Sequence, residues 1–386
     1  MQKPLVALSV LAFAAGASAQ GAAPAQSSVA LFGVVDAALA HYSQGGRSRT
    51  MFDTSGNGPS SIGFRGTEQL GNGLSANFWM EAAILNGTGA GSSSGNGNPP
   101  TGGGLGFGRR STLSLAGHFG EIRLGRDIPP SWWSHVVFDP FSSAGTGGGA
   151  NITSSGGANG FAGANPLSFS RISNSVQYLW GFSPNAQSAI GRGVYAQLMY
   201  AFAGNASGKP ALGQYVGGRL GYANGPVNVA VSYAQSKGTP YAADAAQGYS
   251  TYRNFYLGGS YNFGIANVMA HFGTNNSGVP GTKYTHWGLG AKIVAGPGYI
   301  PVAYNSVKQN NATSDGAYQI SVGYVYNLSK RTAWYTTIAH IHNRNNGTHT
   351  FMGGNGGGNP GLHTAFGGGT SFGNGTGYAI GLRTSF

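Results

Sequence analysis

The chain has 386 residues with 21 Lys and Arg against 9 Asp and Glu, a formal charge of +12, yet only 8% of it is charged, against roughly 25% in a soluble domain. Seventy glycines and 12% aromatics accompany this, and past the leader no stretch reaches the roughly 18 to 20 apolar residues of a membrane helix, which excludes a helical membrane protein. Zero cysteines exclude a disulfide framework and thiolate metal sites.

Residues 1–19 read as a Sec signal peptide: Lys3 is the positive n-region, Leu5 to Ala15 the apolar run, and Ala17-Ser18-Ala19 the cleavage site. Residues 20–386 are then expected to form one domain outside the cytoplasm. From Val29 onward the chain alternates with period two in segments of about ten residues, the pattern of a transmembrane β-barrel. Val29, Leu31 and Val35 share one face and Asp36 takes the other. Marking each such segment gives sixteen expected strands, near 29–41, 61–69, 74–84, 109–116, 121–126, 171–181, 193–203, 214–223, 227–236, 251–262, 266–274, 283–293, 298–306, 316–326, 332–342 and 376–386. In the last, Tyr378, Ile380, Leu382, Thr384 and Phe386 alternate with Ala379, Gly381, Arg383 and Ser385.

The connections alternate in length. Tight ones, such as Leu70-Gly71-Asn72-Gly73, Gly117-His118-Phe119-Gly120, Asn224-Gly225-Pro226 and Phe263-Gly264-Ile265, use residues that turn the chain sharply. Long Gly/Ser/Asn-rich loops fall near 42–60, 85–108, 127–170, 237–250 and 343–375. A Gly-rich secreted polymer would have no reason to alternate this way, whereas a single-chain barrel has short turns on one side and long loops on the other. The expected fold is therefore an all-β, sixteen-stranded antiparallel transmembrane β-barrel.

Several stretches resemble the Gram-negative general porins, in particular their anion-selective branch. Ser61-Ile62-Gly63-Phe64-Arg65-Gly66-Thr67-Glu68-Gln69-Leu70-Gly71-Asn72-Gly73-Leu74 is similar to that family's second and third strands. Leu124-Gly125-Arg126, Arg171-Ile172-Ser173-Asn174-Ser175-Val176-Gln177-Tyr178, Leu328-Ser329-Lys330-Arg331-Thr332 and Gly381-Leu382-Arg383-Thr384-Ser385-Phe386 resemble later signatures. The resemblance implies a homotrimeric outer-membrane pore, a third loop folded into the lumen, and arginines at the constriction. It also implies that Tyr378, Ile380, Leu382 and Phe386 form the signal read by the barrel-assembly machinery. Where the family usually has Arg-Gln this chain has Arg109-Arg110, which leaves the inward arginine open.

Side-chain parity asks independently where the charges point. With Ile62 and Phe64 toward lipid, Arg65 faces the lumen; with Ile172, Val176 and Tyr178 outward, Arg171 does too. The same count turns Arg123, Arg219, Arg383, Asp36 and Glu81 inward. Avoidance of lipid alone would send charges inward, since a Lys or Arg at the bilayer midplane costs roughly 2 to 4 kcal/mol, but it does not explain the positive sign. Arg65, Arg109 and Arg171, with Arg110, are the expected constriction cluster. Asp139, in Phe138-Asp139-Pro140-Phe141, either opposes that cluster across the pore or closes an Asx-Pro turn. Trp132 and Trp133 pack this loop or form a sugar-stacking surface, and Arg126 is a candidate for the subunit contact.

Enzyme motifs are weak. Gly91-Ser92-Ser93-Ser94-Gly95 matches G-x-S-x-G only within low-complexity sequence, and His340 and His342 share a strand face without an identifiable third ligand. The expected protein is a passive, anion-preferring pore, not an enzyme, with no cofactor and no nucleic-acid partner. Its expected surroundings are outer-membrane lipid and lipopolysaccharide, two other copies of itself, and small anionic or neutral solutes. A substrate-specific pore for an organic or phosphorylated anion, and a surface adhesin carried on a barrel, are the alternatives.

Overall fold

The computed structural model describes residues 27–87, 89, 91–92, 105–153, 170–187, 189–203, 213–238, 249–276, 278, 280–351 and 373–386. The expected leader, most of the loop near 343–375, much of 237–250 and Ser93-Ser94-Gly95 lie outside the described residues. Eighteen strand runs form one antiparallel sheet. They are β1 (Ser28–Gln44), β2 (Arg47–Thr54), β3 (Ser61–Gly71), β4 (Leu74–Ile84), β5 (Gly91–Ser92), β6 (Arg110–Gly117), β7 (Gly120–Asp127), β8 (Ile172–Trp180), β9 (Gly193–Ala201), β10 (Tyr215–Asn224), β11 (Val227–Gly238), β12 (Ser250–Asn262), β13 (Ala266–Asn276), β14 (Tyr284–Ala295), β15 (Gly298–Gln309), β16 (Gly316–Asn327), β17 (Thr332–Arg344) and β18 (Gly375–Ser385). Two helices, α1 (Pro130–Val137) and α2 (Ala150–Thr153), lie between β7 and β8.

The eighteen runs make sixteen staves. β2 and β3 both pair with β1, over Ala37–Gln44 and Ser28–Val34 respectively, and β5 and β6 both pair with β4. Closure comes from β1 against β18, from Val34↔Ser385 to Gln44↔Gly375. Beyond that ladder the Phe386 backbone exchanges two 3.1 Å hydrogen bonds with Gly33. A closed ladder leaves no unpaired backbone in lipid, which an open sheet could not achieve.

Parity is realised along the wall. On β1 Leu39 is 60% exposed beside Ala38 at 2%, and on β10 Leu220 is exposed beside buried Arg219. The outward side chains are predominantly apolar because they meet lipid, while the inward ones are small, polar or charged.

Three expectations are corrected. The stretch 42–60 is not all loop: β1 continues to Gln44 and returns as β2 through Gly45-Gly46, both at positive φ (60° and 78°), so Arg47 and Arg49 lie on a strand. The region 127–170 is not featureless, since it contains α1 and α2. Ile172 does not face lipid. It is buried and inward because Asn174, at φ 55°, puts an extra residue into β8 opposite the register shift at Gly125/Asp127, so Ile172 and Ser175 share a face. A bulge of this kind reverses parity beyond it.

Candidate functional site

The described part of the third long connection, residues 128–153, folds into the lumen and is held against the wall. Pro129 and Pro130 start α1, and the helix lays Ser131 and Ser134 against the wall: Ser131 Oγ lies 3.2 Å from the Tyr215 hydroxyl, and Ser134 Oγ donates to Ser232 Oγ at 3.0 Å. Phe138 occupies the space that a side chain at Gly258 would fill, and Pro140 does the same at Gly290. Farther on, Gln319 Nε2 donates to the Gly147 and Gly148 carbonyls (3.0 and 3.2 Å), and Tyr42 OH lies 3.1 Å from Thr146 Oγ1. His135 sits 4.4 Å from the Tyr256 ring and 5.4 Å from that of His286. Burial, reinforced by His286 and His271, holds His135 well below the ordinary imidazole range. The loop thus docks on β1 and on β10 to β16.

On the opposite side a cavity of about 230 Å³ remains. Trp79, Glu81, Arg109, Arg110, Asp127 and Arg171 line its wall, with Trp132 and Trp133 across from them on the loop. Trp133 is nearly buried, as packing requires, while Trp132 stacks on His135 at 5.7 Å.

Both members of the Arg109-Arg110 pair reach this site. Arg110 opens β6 facing inward, with its guanidinium 4.3 Å over the Trp79 ring and Nε 3.6 Å from Asp127. Arg109, just before the strand, pairs through Nε with Glu81 at 2.5 Å. Arg171 donates to the carbonyls of Arg109 (2.7 Å) and Ser170 (2.6 Å). Burial, with Arg109 next, pushes it down to about 9, so it is still a cation at neutral pH. Arg65 stands opposite Trp79 in the ladder, exposed to the lumen, 5.2 Å from the Trp79 ring and 5.4 Å from that of Phe32. It makes no ion pair among the described residues. Arg123 is buried in a two-pronged pair with Glu121 (2.7 and 3.0 Å) and reaches Asp127 at 3.3 Å. Five arginines thus face three carboxylates, Glu81, Glu121 and Asp127, and this wall carries an excess of positive charge.

Asp139 does not oppose these arginines. Its carboxylate accepts hydrogen bonds from Phe141 N (2.8 Å), Ser143 N (3.0 Å) and Gly149 N (2.7 Å), so it closes the turn of its own loop and is buried there. Asp36 faces inward but is likewise engaged, accepting from Tyr335 OH (2.5 Å), Asn57 N (2.9 Å) and Gly58 N (2.6 Å); it holds the segment between β2 and β3 in the lumen. Arg383 stands opposite Asp36, beside Gly58. Arg126 projects to the outer surface, where it donates to Gly108 O and Ser173 Oγ, both at 2.6 Å. His340 and His342 are also outward, bonded to Thr376 Oγ1 (2.9 Å) and stacked on Tyr318 respectively.

One element escapes parity reasoning. The connection between β8 and β9 lies on the short-turn side, yet it folds inward. Arg110 and Arg123 both donate to the Ala186 carbonyl (3.2 and 2.8 Å), Arg219 donates to that of Ala189, and Asn185 N donates to Glu121 at 3.1 Å. Arg123 and Arg219 are therefore inward but covered, and do not line open lumen as expected. The usable signal is length, since residues 181–192 far exceed the neighbouring turns.

The chain matches the Gram-negative porin family over residues 7–346. Outer membrane porin protein 32 of Delftia acidovorans is 38% identical over 367 residues, covering 90% of this chain and 92% of that protein. An outer membrane porin protein of Bordetella pertussis is 29% identical over 387 residues, covering 87% and 93%. Among solved structures, an anion-selective porin from Comamonas acidovorans superposes with a TM-score of 0.73 at 32% identity, over 94% of this chain and all of that one. Salmonella typhi OmpF, in a complex with daunomycin, shares the fold at a TM-score of 0.62 and 16% identity, over 93% and 97% of the two chains.

Proposed function

Because this chain belongs to the Gram-negative porin family, we propose that its lumen is a passive, anion-preferring channel whose selectivity is set by Arg65, Arg109, Arg110 and Arg171. The observation that carries this reading is the excess of arginine over carboxylate on the wall of the cavity beside the described part of the third loop. A pore of this kind does no covalent chemistry; it sorts solutes by diameter and by the charge at the narrowest point. Guanidinium groups with low-dielectric walls around them raise the local concentration of anions and repel cations. The Comamonas acidovorans porin, described as anion-selective, supports the sign. Current reversal across a bilayer with a salt gradient tests it: the zero-current potential should lie toward the chloride equilibrium potential, and a value on the cation side would refute the reading.

Subunit assembly is read in the same way. The outward face around Leu113, Leu115, Leu124 and Arg126 fits a contact between three copies, because the Arg126 guanidinium is an outward cation already bonded to Gly108 O and Ser173 Oγ. Tyr378, Ile380 and Leu382 are lipid-facing, and Phe386 closes the seam with its ring in the space beside Gly33. These four residues are proposed as the assembly signal. Phe386→Ala should leave secretion intact but lower the yield of heat-modifiable trimer on a gel; an unchanged yield would count against it.

A substrate-specific channel is the second reading, favoured by Trp132 and Trp133 facing the arginines across the same cavity. Block of the ion current by one organic anion at low concentration would support it.

A further inference from the structure

The connection between β8 and β9 does more than cover arginines. The other six connections on the short-turn side take two to four residues, against twelve here. A longer segment left in solvent would have little to order it, yet this one is tied down along its length. At its base Phe182 packs edge-on against the Tyr195 ring at 5.3 Å, and Gly191 lies so close to Tyr195 that any side chain there would collide with it. At its tip Ala186 N donates to Ser183 O at 3.2 Å, and Asn185 takes a φ of 55°, which Asn tolerates better than most residues.

The tip is held from both sides of the charged wall. Asn185 Nδ2 donates to Gly66 O on β3 at 3.2 Å. With Arg110 on β6, Glu121 and Arg123 on β7 and Arg219 on β10, its partners run from β3 to β10. Four of these bonds involve a charged group, and such bonds are roughly twice as strong as neutral ones. The segment therefore stands in the lumen as a fixed ledge.

Gln187 follows directly on the Ala186 carbonyl that Arg110 and Arg123 hold, is exposed, and lines the cavity of Arg109, Arg110, Arg171 and Trp132. Among the described lining residues it is the one supplied from the short-turn side. Its amide carries donors and an acceptor but no charge. A solute drawn in by the guanidinium groups can thus be hydrogen-bonded from below without any change in the field that attracts it.

We infer that the β8–β9 connection forms a second constriction on the short-turn side of the lumen, and that Gln187 is its specificity-determining residue, the one that permeating solutes meet. The inference rests on the channel reading and adds a contact to it.

The chain has no cysteine, so Gln187→Cys introduces a single thiol. The probe is 2-sulfonatoethyl methanethiosulfonate, applied to the purified full-length protein in a planar bilayer, with mass spectrometry to count the label. Labelling of Gln187→Cys should lower the single-channel current. At low salt it should also lower the anion-to-cation permeability ratio by about fivefold or more, since a unit charge about 4 Å away shifts the local ion concentration by roughly that factor even in water. Gln187→Glu should reproduce the shift in ratio without the added bulk. Asn224→Cys and Asn224→Glu, exposed at the end of β10 on the same side, should change neither quantity. Heat-modifiable migration on a gel shows that each variant is folded. Complete labelling of Gln187→Cys with current and ratio unchanged overturns the inference, as does a thiol there that resists the probe in the folded channel, or equal effects at the two positions. A cation-selective wild type whose labelled Gln187→Cys variant still loses current would remove the anion-preferring reading and leave this constriction standing.

Discussion

The wall built by β3 to β8 concentrates five arginines and three carboxylates, whereas β10 to β16, whose inward cations are Arg219 and Lys292, contact the described part of the third loop with hydroxyls, amides, imidazoles and glycines. Ser232, Gln319 and Tyr215 bond the loop without charge, and Gly258 and Gly290 let Phe138 and Pro140 approach the backbone. Where this wall meets the loop through neutral groups, Ser131, Ser134 and Gln319 find neutral partners at modest cost. On the charged wall the buried arginines need ionic or carbonyl partners, which Glu81, Glu121, Asp127 and the main chain of the β8–β9 connection supply. The cavity beside the described part of the loop lies along this charged wall.

The strongest way to break the charged wall is Arg123→Ala. It leaves the buried Glu121 without its two-pronged partner, and unfolding of the barrel should become easier by about 3 to 5 kcal/mol, read as a lower temperature of heat modification on a gel. Arg123→Lys should recover only part of this, since one ammonium cannot reproduce the fork. On the neutral wall, Gly258→Leu would drive a side chain into Phe138, with an overpacking cost of about 1 to 3 kcal/mol. The barrel should survive and the loop should undock, so single-channel conductance should rise; an unchanged conductance would mean that this contact does not hold the loop.

Parity reasoning reached much of the charged wall because a β-strand reports orientation at every second residue. Arg65, Glu81 and Arg123 on that wall follow from the rule alone, as do Asp36 on β1 and Arg219 on β10, and both Arg109 and Arg110 reach the site because the strand begins between them. The rule failed at Ile172, where one left-handed residue, Asn174, resets the count. The neutral wall's contacts were not legible, because a loop rich in Gly and Ser has no period, and neither α1 nor the staple made by Asp139 leaves an alternating signature. The inward fold of residues 181–192 left only its length as a signal: its bonds to Arg110, Arg123 and Arg219 use main-chain carbonyls, which every sequence has.

Smaller effects sharpen the comparison. Glu81→Gln removes the acid that pairs with Arg109, and should move the zero-current potential modestly further toward anions. The smallest effect should come from pH. His135 is buried and neutral where it faces Tyr256, His271 and His286, and a depressed imidazole contributes docking stability that is complete above its unfolded value of about 6.5 and is lost as pH falls below it. Channel closures or conductance fluctuations should therefore increase between pH 7 and pH 5 in the wild type, and much less in His135→Phe.

The charge on one wall is the central claim, and its most direct test is the zero-current potential of Arg65→Glu and Arg171→Glu, compared with Arg47→Glu and Arg49→Glu on the β1–β2 hairpin. At 0.1 M salt, where charges act over about 10 Å, the first pair should shift selectivity toward cations and the hairpin pair should shift it far less; at 1 M, where the range is about 3 Å, the difference should shrink. Equal shifts from both pairs would mean that overall charge, and not the arginine wall, sets selectivity.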